Sequence, residues 1–336
     1  MYLRLSICIP SYNGIQYIGI LLDSLTKCAD SGFEIVVSDD CSTDGTWEYL
    51  KEYSKRDPRV RVFQNDLNLG MDRNFARSVE LASGRFIWLC GQDDLIEPEG
   101  IKAVIDIINY DEPPDFLHMS YVMHSETSMD MGGMMGKSNK SLVRGSGLAD
   151  FLASNNENLP TFLPEFVIRR SLWQRVDVSR YFGTSYCQVG VFLEVSKNLR
   201  WSRLTECYVR GLIPKDGWQV NHIAYARIIV GYFAMLNRVL GQEGGLTEAI
   251  ARRQYFLHRK QLTYALLLMR GFNLENRVVL LDELHNALRN YSKIYCTITF
   301  FLGLPRPVSR SLIRFIAFRR EIRNWLSFRY EHFFCR

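Results

Sequence analysis

Three short stretches carry the residue types that do chemistry: Pro10-Ser11-Tyr12-Asn13, then Asp39-Asp40 with Ser42-Thr43-Asp44-Gly45-Thr46, then Asp93-Asp94 after Gly91-Gln92. A tyrosine ring offers a flat face on which a heterocyclic base can stack. One carboxylate pair can accept hydrogen bonds from a base and a ribose. The other supplies hard oxygen donors of the kind that Mg2+ or Mn2+ takes alongside phosphate oxygens and water. Each stretch by itself has an ordinary structural reading: Asp39-Asp40 as a solvated turn, Asp93-Asp94 as a helix cap, Tyr12 as a packing residue. The set as a whole suits a nucleoside diphosphate and its metal.

Such a set works only if the fold brings it together. Leu5 to Ile9 is a short apolar run ending at Pro10, the pattern of a buried parallel strand. Tyr17 to Leu25 places Ile18, Leu21, Leu22 and Leu25 at helical spacing. Phe33 to Ser38 reads as a second strand, and Thr43 as the cap of a helix from Asp44 with Trp47 and Leu50 on one face. Val60 to Phe63 is a third strand, Arg73 to Leu81 a helix closed by Gly84, and Arg85 to Cys90 a fourth strand that runs into Gly91-Gln92-Asp93-Asp94. This alternation predicts an α/β fold with a doubly wound, mostly parallel sheet. Ligands of such sheets lie beyond the carboxyl ends of the strands, where all three stretches fall.

The chain of 336 residues is long enough for one large domain with an appendage or for two ordinary domains. A net charge of +5 is mild and singles out no partner. None of the eight cysteines forms a Cys-x-x-Cys pair, which predicts reduced, mostly buried thiols. The Gly-, Ser- and Met-rich stretch 129–147 reads as a mobile loop. From about 222 onward the pattern is helical: Ile223 to Leu240, Leu246 to Arg270 and Asn276 to Asn290. The strand-like start leaves no room for a signal peptide, and Ile294 to Leu304 is too short to span a bilayer. The expected location is the cytoplasm, peripheral on the inner face of the membrane.

The runs Ser6 to Asn13, Val37 to Thr46, Asn68-Leu69-Gly70 and Gln92-Asp93-Asp94 together resemble the GT-A fold of glycosyltransferase family 2, over about the first 110 residues. Within it, Met71 to Phe75, Phe86 to Leu89 and Arg169 to Trp173 resemble bacterial O-antigen and surface-polysaccharide transferases of the abequosyltransferase-like type. The resemblance implies a GT-A domain over 1–220, with a nucleotide-sugar half at 1–115 and an acceptor half at 116–220. A helical C-terminal region at 221–336 follows. It also implies a nucleotide-sugar donor, a glycan acceptor that is lipid-linked, and a divalent metal. Pro10, Tyr12 and Asn13 would flank the donor's base and ribose. Asp40 would accept a hydrogen bond from the base, with Arg73 and Asn74 beside the donor. Asp94 would ligate the metal directly, and Asp93 would act on ribose or through water.

An inverting transfer also needs a general base for the acceptor hydroxyl. Family members usually carry a Glu-Asp or Asp-Asp pair before an apolar helix of the acceptor half. Here the matching neighbourhood, Phe182 to Gly190, holds no carboxylate until Glu194, which becomes the candidate, with Asp177 and Glu165 as rivals and His222 as a further metal or phosphate contact. The tail places Val308, Leu312, Phe315 and Trp325 near helical spacing among arginines, a pattern that suits an anionic membrane surface or packing on the protein itself. No nucleic-acid module matches. A nucleotidyltransferase would share the sheet and the carboxylates but would bring a Gly-rich basic loop after strand one, where this chain has Ser11-Tyr12-Asn13-Gly14-Ile15. The missing carboxylate pair also leaves open a degenerate nucleotide-sugar-binding module.

Overall fold

Apolar runs too continuous for a half-exposed sheet become the central strands. In the computed structural model, which describes residues 3–125, 142–213, 222–240, 242–272 and 304–316, the first four strands are β1 (Leu5–Ser11), β2 (Phe33–Asp39), β3 (Val60–Gln64) and β4 (Phe86–Leu89). Every residue of β1, β2 and β4 is buried, as strands covered on both faces require. The crossovers are α1 (Ile18–Thr26), α2 (Thr46–Ser54) and α3 (Met71–Glu80), and the four strands pair in parallel in the order β3-β2-β1-β4. The winding reverses between β1 and β4, and a crevice opens at their carboxyl ends. Pro10 has no N–H to give a ladder, but β4 pairs with β1 only as far as Cys8, so β4 asks for no donor there.

The chain then forms β5 (Leu95–Ile96), α4 (Pro98–Ile108), β6 (Phe116–Ser125), β7 (Leu142–Ser146) and α5 (Gly147–Ser154). After these come β8 (Phe166–Arg169), α6 (Arg170–Trp173), α7 (Cys187–Val195) and β9 (Arg200–Ile213). These strands extend the same sheet in the order β4-β8-β6-β9-β5, with β7 on β9. Here the sheet is mixed. β8 runs antiparallel to both β4 and β6, while β6 and β9 are parallel. An aromatic cluster fills the space under this half: Phe116 lies 4.8 Å from Phe192 and 5.4 Å from Phe166, centroid to centroid.

Two long helices follow, α8 (His222–Val239) and α9 (Glu248–Phe272), and a further helix covers 306–316. Contacts divide the chain into two compact units, one of Met1–Lys215 with Arg238–Ala251, the other of Asp216–Asn237 with Arg252–Arg336. Within the second, Phe233 stacks on Tyr255 at 4.8 Å, and Ile313 packs with Leu267 and Leu268. No helix among the described residues is long and apolar enough to cross a membrane. The six described cysteines are free thiols, four of them buried.

Several local expectations give way to specific contacts. α2 begins at Thr46 rather than Asp44, because Asp44 turns back to accept from the Thr46 N–H and hydroxyl while Gly45 adopts φ 94°. Thr43 is not the cap; its N–H goes to Asn13. Gly84 does not close α3, which ends at Glu80 with Leu81 as its cap. A Cβ on Gly84 would stand 2.7 Å from the backbone of Leu5 and Ser6, so close packing on β1 explains that glycine. Residues 142–146, expected in a loop, form β7 because they pair with β9. The rest of that expected loop from 129 to 141, the helix expected over 276–290, and the tail beyond 316 lie outside the described residues.

Candidate active site

The loops after β1 and β2 are stitched into one wall. Asn13, held at φ 48°, donates its N–H to the Ser42 hydroxyl and accepts from the Thr43 N–H, each at 2.9 Å. The Gly14 N–H reaches Thr46 Oγ1 at 2.9 Å, and the Ile15 N–H reaches Asp44 at 3.2 Å. Pro10 is buried in β1, whereas the Tyr12 ring is 47% exposed at the rim of the wall. An exposed ring on a backbone tied down at its neighbours is a ready stacking platform.

Asp40 follows β2 and is buried. Its carboxylate accepts from Asn65 Nδ2 and the Leu69 N–H at 2.8 Å and from the Gly70 N–H at 2.9 Å. Three donors leave about one lone-pair site for a ligand. Asn74 is a different case. Its amide hydrogens go to the carbonyls of Ser11 and Ser38, its oxygen accepts from Asn65, and the side chain is buried. It braces the ends of β1 and β2. Its neighbour Arg73 is exposed, stacks on Phe182 at 5.0 Å, and has no carboxylate partner among the described residues.

Beyond β4, Asp94 Oδ2 accepts from the Gly91 N–H at 2.8 Å. A Cβ on Gly91 would lie 2.6 Å from Asp94 Oδ2 and 3.0 Å from Asp93 Oδ1, so both carboxylates converge on one side of that glycine. Burial raises both carboxyl pKa values, and at Asp94 the adjacent Asp93 charge adds to the rise. A buried Asp94 and a half-buried Asp93 that repel one another form a place where a divalent cation would be welcome. The described residues hold no group of three or more His, Cys, Asp or Glu that would bind a metal unaided. The pair therefore fits Mg2+ or Mn2+ shared with a ligand's phosphates, and fits a protein-only cage poorly. Gln92 points at the β1 loop: its Oε1 accepts from the Ser11 hydroxyl at 2.8 Å and the Tyr12 N–H at 2.9 Å.

On the acceptor side the sequence missed Asp72. It is buried at the start of α3 and accepts from the N–H groups of Ser185 at 2.9 Å and Cys187 at 3.2 Å, fastening the start of α7 beside the crevice. Glu194 lies seven residues further along, about 10 Å of helix rise away. Its carboxylate takes the Tyr181 hydroxyl at 2.5 Å and Arg180 at 3.7 Å. Burial first, and the Glu194 carboxylate second, push the Tyr181 hydroxyl far above its usual range. Glu194 is thus engaged by Tyr181 and Arg180. Asp177 is exposed and committed to Ser179. Glu165, by contrast, immediately precedes β8, and because β8 runs antiparallel to β4 its start lies beside the carboxyl end of β4. The buried Glu165 side chain meets His118 Nε2 at 2.9 Å and accepts from the Phe162 N–H at 2.8 Å.

A parallel half-sheet that reverses at the crevice, carboxylates beyond its fourth strand and a mixed half-sheet alongside define a GT-A fold. Solved structures agree: S. aureus TarS 1-349 in complex with UDP-GlcNAc superposes with a TM-score of 0.55 at 20% identity, over 87% of this chain and 81% of that one. The mannosyltransferase PcManGT from Pyrobaculum calidifontis, in complex with GDP-Man and Mn2+, gives 0.54 at 16% identity over 93% and 87%. At these identities the likeness is one of fold. Residues 6–138 match the family model described as glycosyl transferase family 2. Among curated relatives, abequosyltransferase RfbV of Salmonella typhimurium is 28% identical over 57% of this chain, which spans 60% of that relative's length. The poly(ribitol-phosphate) beta-N-acetylglucosaminyltransferase TarS of Staphylococcus aureus is 36% identical over 32% of this chain and 19% of its own.

Proposed function

We propose that this protein transfers a sugar, with inversion, from a nucleoside-diphosphate donor to a glycan acceptor in the assembly of a bacterial surface polysaccharide. The observation that carries the reading is the convergence, at the carboxyl ends of β1, β2 and β4, of an exposed tyrosine ring, a buried Asp40 with a lone pair to spare, and the Asp93-Asp94 pair. Two of the curated relatives, the abequosyltransferase and the N-acetylglucosaminyltransferase, are transferases of sugars by name, which supports the same reading.

Tyr12 would stack on the base and Asp40 would accept from its edge. Arg73, at the start of α3, would meet phosphate charge. Asp94 and Asp93 would hold Mg2+ or Mn2+, which when bound supplies Lewis-acid stabilisation of the leaving diphosphate. The pair's own contribution is to hold two partly desolvated carboxylates close together, so that a cation is drawn in with the donor. For the general base, Glu165 replaces Glu194 as the candidate, since it stands on the acceptor side at the end of β4 with His118 holding its carboxylate in place. It would take the proton of the acceptor hydroxyl as that oxygen attacks the anomeric carbon.

The acceptor is proposed to be lipid-linked, with the protein peripheral at the inner membrane. The helix over 306–316 supports this: it exposes Val308 and Phe315 beside Arg310 and Arg314 while Ile313 packs inward. A thermal-shift screen with UDP, GDP, CDP and dTDP, with and without Mn2+, tests the central claim. The matching nucleotide should stabilise by about 2.7 kcal/mol at a hundredfold excess over its Kd, and more with the metal than without it. No shift with any of the four in the presence of Mn2+ would sink the reading.

A further inference from the structure

The loop that carries Tyr12 is held by one side chain from the opposite wall of the crevice. Gln92 Oε1 accepts from the Ser11 hydroxyl at 2.8 Å and the Tyr12 N–H at 2.9 Å, while its Nε2 donates to the Tyr12 carbonyl at 3.0 Å. A single carboxamide thus satisfies both backbone groups of Tyr12, as a neighbouring strand would. Gly14 completes the arrangement: a Cβ there would stand 2.1 Å from Gln92 Oε1, so the glycine is the space in which the amide lies. Gln92 is also the residue immediately before Asp93-Asp94, so the clamp ties the tyrosine platform to the carboxylate pair.

We propose that Gln92 is a positioning residue that presets the Tyr12 ring for the nucleoside, and that an amide, not a carboxylate, is required at this position. The inference rests on the nucleotide reading of the crevice given above. A glutamate has no donor for the Tyr12 carbonyl and would set an anionic oxygen against it, although it could still accept from Ser11 and the Tyr12 N–H. Without the clamp, the loop samples conformations in which the ring is turned away, and apparent affinity falls by the fraction that remains competent. Gln92 contributes nothing to phosphate or metal binding in this scheme, so its loss should weaken nucleoside monophosphate and diphosphate to the same degree.

The test is calorimetric binding of the nucleoside diphosphate selected by the screen, with Mn2+, and of its monophosphate. The variants are Gln92→Ala, Gln92→Glu, Gly14→Ala, Tyr12→Ala and the Gln92→Ala/Tyr12→Ala pair. Gln92→Ala, Gln92→Glu and Gly14→Ala should each weaken both ligands about tenfold, as expected if a tenth of the loop population stays competent. Gly14→Ala matters because it displaces the amide without altering Gln92 or Tyr12. The double variant should be no weaker than Tyr12→Ala alone, a non-additivity that general loosening of the fold would not produce. Unchanged affinity in Gln92→Ala, an additive double variant, or a loss confined to the diphosphate would overturn the clamp. Failure of the wild-type protein to bind any of the nucleotides would instead bring down the nucleotide reading itself, and the clamp's function with it.

Discussion

Asp94 is where one atom's placement decides most. Its carboxylate is fixed by the Gly91 N–H and crowded by Asp93, and both groups are pushed toward their neutral forms by burial. Asp94→Ala should abolish transfer while leaving the fold and nucleoside monophosphate binding intact, because Tyr12 and Asp40 lie on other loops. Full turnover in this variant, or in EDTA, would contradict a metal held there. The proton acceptor is the second decision at this scale. Glu165→Gln should lower turnover by roughly 10² to 10⁴ with donor affinity preserved, as loss of a general base does. Glu194→Gln should stay near normal, because that side chain serves Tyr181 and Arg180. The opposite ranking in steady-state kinetics would restore Glu194.

At the scale of elements, β1, β2 and β3 are locked at their amino-terminal side by Glu34. Its carboxylate accepts from the Ser6 hydroxyl at 2.7 Å, Arg61 at 2.6 Å and the Ser83 N–H at 2.6 Å. Burial raises its pKa, but these three donors outweigh that and hold it below the usual carboxylate range. A folded pKa below the unfolded one means that the group stabilises fully above about pH 4.3, and that this stabilisation fades as pH falls through the lowered folded value. Glu34→Gln should therefore cost about 1–3 kcal/mol at pH 7, and the gap from wild type should close in acid. Urea titrations at pH 7 and pH 3 would check it; a gap that stays constant would assign the cost to shape rather than charge.

The strands of this half were legible because their signal is local. Ile35-Val36-Val37 is apolar, β-branched and strand-forming whatever surrounds it, and the three acidic or aromatic stretches sit where such runs stop. Helix starts were less legible, since Asp44 and Thr46 settle α2 through contacts with the β1 loop.

For the whole molecule, the question is what the helix over 306–316 faces. Val308 is 44% exposed and Phe315 55%, whereas Ile313 is 7% exposed against Leu267 and Leu268. Val308→Glu with Phe315→Glu should abolish sedimentation with anionic vesicles while leaving the unfolding temperature unchanged. Ile313→Glu should destabilise outright, as a buried unpaired charge does. Each basic residue near an anionic surface contributes about 1 kcal/mol, so wild-type binding should also weaken with salt. Vesicle binding that survives the double exposed-face variant would rule this helix out as the membrane contact.

From the amino-acid order alone followed the α/β class, the first four strands, and the three chemical stretches at strand ends, because each depends on residues within one turn or one strand of each other. The order could not decide which carboxylate faces the chemistry. Glu165 meets His118 across 47 positions, and it reaches the end of β4 only because β8 enters the sheet antiparallel between β4 and β6. Likewise Gln92 is an unremarkable polar residue in the sequence, and becomes a clamp only when the winding reversal sets its loop against Ser11 and Tyr12, some 80 positions away. Strand order is chosen by the burial of many side chains at once, so residues whose function is to meet across it are visible only after the chain has folded.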